Sequence, residues 1–251
     1  MPQPPRSTLL RSLLASTVRG WRGTQVLERA RTPKQLLVVF DRENDPDCRL
    51  LRELLTELQL DALIQPCPVG GRRYARQRPR GAQLPYLVDH DLDVQADGLH
   101  ACVAHVLQAY SKARGSRGSV DGLAARATSR IASALRGDAG LQAKPSRLPR
   151  LPLELYSFES SPYSRLVRER LCELEIPYLL RNTGKQQLSD YGPPRLRPTL
   201  KPYKPLPGSR REMMMHKTGK VQVPYLIDPN TGRELMESSD ILAYLEQQYA
   251  A

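Results

Sequence analysis

Two related heptapeptides decide how this chain is built: QLPYLVD at residues 83–89 and QVPYLID at residues 222–228. In each, an apolar run rich in β-formers follows a proline directly and ends on an aspartate, which is typical of a short buried strand that begins at a turn. The two copies share their glutamine, proline, tyrosine, central leucine and aspartate. They therefore predict an internal repeat, with related segments on either side.

The segments that precede the heptapeptides repeat in the same order. Short β-rich runs end in an acidic residue at 35–43 and at 153–159, and DPDCR (45–49) and SPYSR (161–165) then open stretches with leucine and valine at helical spacing. The proline of each stretch stands where a helix begins, and its missing N–H costs nothing there. A second strand comes next in each copy (62–65 and 178–180), and a closing helix follows each heptapeptide (97–110 and 238–249). The order predicts an α/β fold of two β-α-β-α-β-β-α units.

Four segments follow from this repeat. We expect a basic amphipathic N-terminal segment (1–34), a first domain (35–110), a basic linker (111–150) with a helix near 120–135, and a second domain (151–251). Apolar residues on one side of 8–22 are compatible with a helix that docks on the folded pair, an organellar transit peptide or an interfacial membrane helix.

Charge and cysteine usage restrict the classes of function. The net charge is +12, and its positive excess lies in residues 1–34, 111–150 and 181–220, where aromatic residues for base stacking do not alternate with arginine. This favours solvated loops over a nucleic-acid surface. The four cysteines have no CxxC spacing, which indicates neither a zinc site nor a secreted disulfide framework, so we expect no metal. We therefore expect the protein in a reducing compartment. This is the cytoplasm or, if residues 1–30 act as a targeting segment, an organelle.

These motifs resemble glutaredoxins and the N-terminal domains of glutathione transferases, which share the thioredoxin-like fold. The resemblance lies in the Xaa-Pro-Xaa-Xaa-Arg stretches at the helix starts, in VPYLID at 223–228, and in Glu237-Ser238 at the start of the last helix. The arrangement is similar to a family of bacterial and plant plastid proteins with two such domains in tandem. The sequence stops at Ala251, so we expect no all-α C-terminal domain of the transferase kind.

The resemblance implies a glutathione site in the second domain. It implies that Pro224 is preceded by a cis peptide bond and that the backbone of Val223 pairs with the cysteinyl part of glutathione, as an added strand does. Glu237 would pair with the γ-glutamyl ammonium, and Ser238 with the free helix N–H groups would bind the carboxylate. The alternatives are a plain tight turn and a serine that only caps its helix.

Ser161 and Tyr163 occupy the place of the glutaredoxin Cys-Pro-Tyr-Cys motif. Both cysteine positions are serine (Ser161 and Ser164), so this motif cannot exchange disulfides. Ser161 matches the serine that some transferase classes use to hydrogen-bond the glutathione thiolate, a bond that lowers the thiol pKa. The alternative is an inert N-cap. We expect one of Arg210, Lys217 and Lys220 to form an ion pair with the glycine carboxylate, and the sequence does not indicate which of them does so.

The first domain departs from the pattern. Asp45 replaces the nucleophile, Cys48 survives at the second cysteine's place, and Gln95-Ala96 are taken as the counterparts of Glu237-Ser238. A carboxylate beside a thiolate position opposes its ionisation. We therefore interpret this domain as a structural or partner-binding copy.

The leading hypothesis is a glutathione-binding protein of the transferase type, with glutathione as substrate or ligand. One alternative is a non-catalytic tandem module that contacts a protein partner through the first domain or the basic linker. Another is a redox sensor that works through Cys48.

Overall fold

The computed structural model describes residues 6–112, 120–192 and 202–251. Its elements are, in chain order, α1 (Arg6–Val18), β1 (Leu37–Asp41), α2 (Pro46–Glu57), β2 (Ala62–Pro66), β3 (Tyr86–Asp89), β4 (Val94–Asp97), α3 (Gly98–Tyr110), α4 (Leu123–Arg136), β5 (Leu153–Ser157), α5 (Pro162–Glu173), β6 (Tyr178–Asn182), a 3₁₀ turn (Leu188–Asp190), α6 (Arg210–Thr218), β7 (Tyr225–Asp228), β8 (Arg233–Leu235) and α7 (Ser238–Tyr249). The predicted mixed α/β fold is confirmed.

All eight strands form a single sheet, in the order β4-β3-β1-β2-β6-β5-β7-β8. Within each half the two β-α-β strands are parallel, the third strand pairs antiparallel with the first, and the fourth pairs antiparallel with the third. The halves meet where β2 pairs antiparallel with β6, with Leu63 opposite Leu179. The sheet therefore continues across the boundary between the halves.

The two halves are not identical. The second has a helix, α6, between its second strand and the cis-proline strand, as predicted. In the first half the corresponding residues 67–85, all of which the structure describes, form turns and no helix. This stretch contains three prolines (68, 79 and 85) and three glycines (70, 71 and 81), which disfavour a helix because proline cannot continue one and glycine loses more backbone entropy in one.

Helix starts follow from local sequence. Asp45 is the N-cap of α2 and its side chain accepts hydrogen bonds from the backbone N–H of Asp47 and Cys48, with Pro46 in the first turn. Ser161 caps α5 in the same way, with Pro162 in the first turn. Both helices bury their apolar face against the sheet, and leucines from both halves belong to one hydrophobic core.

The helices that precede the two halves, α1 and α4, are also copies of one another. Each carries the pattern S-x-x-A-S-x-x-R, at residues 12–19 and 129–136. Ser12 Oγ donates to the Pro162 carbonyl of α5 at 2.9 Å, and Ser129 Oγ donates to the Pro46 carbonyl of α2 at 2.7 Å. Each helix thus lies on the other half of the molecule, and α1 and α4 pack together.

A cluster of buried charges lies beneath these two helices, and we call it the central ion cluster. Its members are all at most 6% exposed: Arg19, Arg49, Arg52, Arg136, Arg165, Arg168, Asp41, Glu43, Glu53, Glu159 and Glu169. Arg19 pairs with Glu53, and Arg136 pairs with Glu169. Arg52 and Arg168 each contact both Glu43 and Glu159, so every one of these ion pairs has a counterpart in the other half.

Candidate functional site

The cis-proline turn of the second half lies at the C-terminal end of β5. The Val223–Pro224 peptide bond is cis, as expected, and so is Leu84–Pro85 in the first half. Tyr225 pairs antiparallel with Tyr156 near the end of β5. The preceding residues Val223 and Pro224 therefore lie beside the loop that leads into α5. Val223 is half-buried and Pro224 is buried.

The start of α7 lies next to this turn. Glu237 is the N-cap of α7, its carboxylate is exposed, and Gln222 Nε2 donates to its Oε1 at 2.6 Å. Ser238 is 8% exposed, and its hydroxyl makes no hydrogen bond to any residue that the structure describes. A carboxylate, a hydroxyl and the unpaired N–H groups of a helix start are thus adjacent, which is a combination able to bind both charges of an α-amino acid group.

Ser161 lies at the start of α5 but is almost inaccessible. Its Oγ accepts the backbone N–H of Ser164 at 3.3 Å, which leaves the hydroxyl hydrogen available to a further acceptor. The residue is 3% exposed, because α1 covers this helix start through Ser12 and through Ser16, whose Oγ donates to the Ser160 carbonyl at 2.8 Å. The neighbouring Tyr163 is 49% exposed.

Of the three basic residues considered for a second carboxylate, two have other partners. Arg210 pairs with Asp61, and Lys217 Nζ lies 2.9 Å from Glu234. Lys220 is exposed, precedes the cis-proline turn by three residues, and makes no side-chain contact within the described part of the chain. The arrangement therefore favours Lys220.

The first half keeps part of this arrangement, and the sequence alignment of its last helix needs correction. Tyr86 OH donates to Gln95, and Tyr225 OH donates to Glu234. These contacts are equivalent, so Gln95 corresponds to Glu234 and lies with Ala96 in β4, and the pairing of Gln95-Ala96 with Glu237-Ser238 was wrong. At the helix start the counterparts of Glu237-Ser238 are Asp97-Gly98, because Asp97 is the N-cap of α3 as Glu237 is of α7. Asp97 Oδ1 accepts the backbone N–H of Gln83 at 2.7 Å, so the first half keeps a carboxylate at this position and has glycine in place of Ser238.

All four cysteines are free and buried. Burial, followed by the negative charges of Asp45 and Asp41, raises the pKa of the Cys48 thiol well above its usual value. Burial also raises the pKa of Cys67 to about 11 and that of Cys102 to about 12. Reactive thiols need exposure and a lowered pKa, so this environment disfavours a redox role for Cys48.

Comparison with known families agrees with this geometry for the second half. Residues 155–251 match the family described as glutathione S-transferase, N-terminal domain. The second half is a domain similar to that one, with a thioredoxin-like fold. No curated protein and no solved structure gives a significant match. The matched range includes Ser161, the cis-proline turn and the start of α7.

Two features of the site were not found by sequence reasoning. Gln222 contacts Glu237, and its place at the head of the QVPYLID heptapeptide was the available signal. The cover over Ser161 comes from α1, whose S-x-x-A-S-x-x-R pattern recurs in α4. That pattern extends the internal repeat to residues assigned to the N-terminal segment and the linker.

Proposed function

We propose that the second half binds glutathione, and that the protein is of the glutathione transferase type with two thioredoxin-like halves of which only the second binds the tripeptide. The observation that carries the proposal is the start of α7, where Glu237 and Ser238 lie beside Gln222 and the cis Val223–Pro224 bond. The family match over residues 155–251 supports it.

Each part of glutathione then has a partner. The γ-glutamyl ammonium pairs with Glu237, and its carboxylate binds Ser238 and the helix N–H groups. The cysteinyl backbone pairs with the main chain of Val223, the glycine carboxylate meets Lys220, and Tyr163 borders the thiol. Ser161 donates its free hydroxyl hydrogen to the thiolate, which favours the charged form and lowers its pKa.

Calorimetry tests the binding step. We expect saturable binding of reduced glutathione by the wild-type protein and a loss of roughly tenfold or more in affinity for Glu237→Ala, because removing one side of a charged hydrogen bond costs about 1.5–3 kcal/mol. Glu246→Ala is the matched control, since Glu246 is exposed on the last turn of the same helix. Absence of saturable binding to the wild-type protein would contradict the proposal.

The role of Ser161 in thiolate stabilisation needs a separate readout. In Ser161→Ala we expect the thiol pKa of bound glutathione to rise by about one unit, which corresponds to about 1.4 kcal/mol. The absorbance of the thiolate, recorded as a function of pH, measures this pKa. Ser209→Ala is the control for a lost helix cap, because Ser209 caps α6 by accepting the Glu212 N–H at 3.1 Å. An unchanged thiol pKa would leave Ser161 as a cap only.

The second candidate is a non-catalytic interaction module. It is favoured by the 3% exposure of Ser161, which restricts the approach of an electrophile to a thiol held there. Under this function the wild-type protein binds no glutathione and Glu237→Ala leaves its partner binding intact, so the same calorimetry separates the two candidates.

A further inference from the structure

The central ion cluster contains two arginines that have no carboxylate partner. Arg49 and Arg165 occupy equivalent places, each three residues after the proline that opens α2 or α5, and they are 1% and 2% exposed. Arg49 Nη2 donates to Ser133 Oγ at 3.0 Å, and Arg165 Nη1 donates to the Ser12 carbonyl at 2.6 Å. These partners are neutral, and they belong to α4 and α1.

Part of each guanidinium group is buried without any partner. Arg49 Nε, Arg49 Nη1 and Arg165 Nε are inaccessible to solvent and make no hydrogen bond. A buried donor left unpaired costs about 1–3 kcal/mol, and more when it is charged. Three such atoms on two adjacent side chains indicate a missing acceptor rather than local strain.

The charges of the cluster do not balance. Six arginines stand against five carboxylates, and Arg52 and Arg168 share the carboxylates at the centre. Arg49 and Arg165 donate to α4 and α1, two helices that pack against each other, so both guanidinium groups lie under the same pair of helices. Burial, followed by the like charge of Arg49, lowers the pKa of Arg165 to about 9. Glu159 and Glu43 act on both arginines from a distance, and arginine does not give up its proton in proteins, so deprotonation does not remove the excess positive charge.

We propose that one small monovalent anion, of the halide or formate class, binds between Arg49 and Arg165 and links the two halves of the molecule. It accepts hydrogen bonds from the unpartnered guanidinium nitrogens and cancels the single excess positive charge. This site is separate from the glutathione site and does not depend on it.

Chloride is the probe for a first experiment. We measure the Tm of the wild-type protein in sodium chloride and in sodium gluconate at equal ionic strength, and we expect a saturable rise of roughly 5 °C in chloride, because a ligand that binds only the native state stabilises it. In Arg165→Met and Arg49→Met the chloride-specific rise disappears. In Arg130→Met, an exposed arginine on α4, it is retained.

The variants are expected to fold, since replacing an unpaired buried charge by an apolar group of similar length is often neutral or stabilising. A bromide derivative of wild-type crystals gives a test that needs no variant. We expect one anomalous peak at roughly 3–3.5 Å from nitrogens of both arginines. Wild-type protein with no chloride-specific rise and no bromide peak there would overturn the proposal and leave a bridging water in its place.

Discussion

At the scale of single residues, the surroundings of a buried arginine decide whether it forms ion pairs, and the residue type does not. Arg52 forms ion pairs with Asp41, Glu43 and Glu159. Among the described residues, the one hydrogen-bond partner of the Arg49 side chain, one turn earlier on the same helix, is the Ser133 hydroxyl. Nothing in the local sequence separates the two, because the difference depends on side chains from β1 and from the other half.

Capping by Ser161 was one of the two interpretations of that residue, and the family resemblance implied the cis bond before Pro224; both features are present. The cis bond before Pro85 was not predicted.

Asp41 gives a prediction about pH. Burial raises the pKa of its carboxyl from 3.8 to about 6 in spite of the adjacent Arg52. The native state therefore binds this proton more tightly than the unfolded state, and the associated stability is present below about pH 4 and lost as the pH rises through 6. Relative to the wild-type protein, Asp41→Asn should gain up to about 3 kcal/mol in free energy of unfolding between pH 4 and pH 7.

Urea unfolding of both proteins at several pH values measures this difference. Asp240→Asn, at an exposed position on α7, is the control for the loss of a carboxylate at the surface. A difference between Asp41→Asn and wild type that stays constant from pH 4 to pH 7 would show that Asp41 titrates normally.

At the scale of elements, the strands and core helices could be predicted and the docked helices only in part. Periodicity indicated α1 and α4, and docking was one of three interpretations of residues 8–22. The structure has α1 docked on α5, and among the described helices none is long and apolar enough to cross a membrane. The partner of each helix could not be predicted, because the serine hydrogen bonds join residues about 83 and 150 positions apart.

The loop after α1 makes a close approach that only glycine permits. Gly23 has φ +69°, and a Cβ there would lie 2.8 Å from Glu159 Cβ and 3.1 Å from Glu53 Cα. Gly20 has φ +58° with open space around it. Either substitution by alanine should lower the free energy of unfolding by about 1–2 kcal/mol, because the residue has to adopt a left-handed backbone conformation. Gly23→Ala should lower it by about 1–3 kcal/mol more, because its Cβ clashes with Glu159 and Glu53.

Thermal unfolding of the two variants side by side measures that difference. Equal losses of stability in Gly20→Ala and Gly23→Ala would mean that the loop moves to accommodate the side chain. In that case α1 would not be tightly fixed against α2 and α5.

At the scale of the whole molecule, the repeat predicted two units and the structure joins them closely. The β2–β6 pairing, the shared core and the crossed docking of α1 and α4 all run between the halves. The sequence could indicate the repeat because matching motifs recur in order. The way in which the two halves pack together depends on contacts between side chains that are far apart in sequence. A local sequence pattern does not predict such contacts.

We therefore predict that the protein unfolds as one cooperative unit. Fluorescence of Trp21, the single tryptophan, reports on the region after α1, and far-ultraviolet circular dichroism reports on both halves. The two signals should follow one transition with the same midpoint in urea. Two separated transitions would show that the halves are independently stable.

The crossed docking of α1 also constrains how the chain folds as it is synthesised. The helix leaves the ribosome first, yet the carbonyl of Pro162 that Ser12 contacts is 150 residues further along the chain. During synthesis the face of α1 that carries Ser12, Ala15 and Ser16 stays uncovered until α5 has emerged. If synthesis ends before residue 162, α1 has no α5 to pack against. Its uncovered face is then accessible to chaperones and proteases.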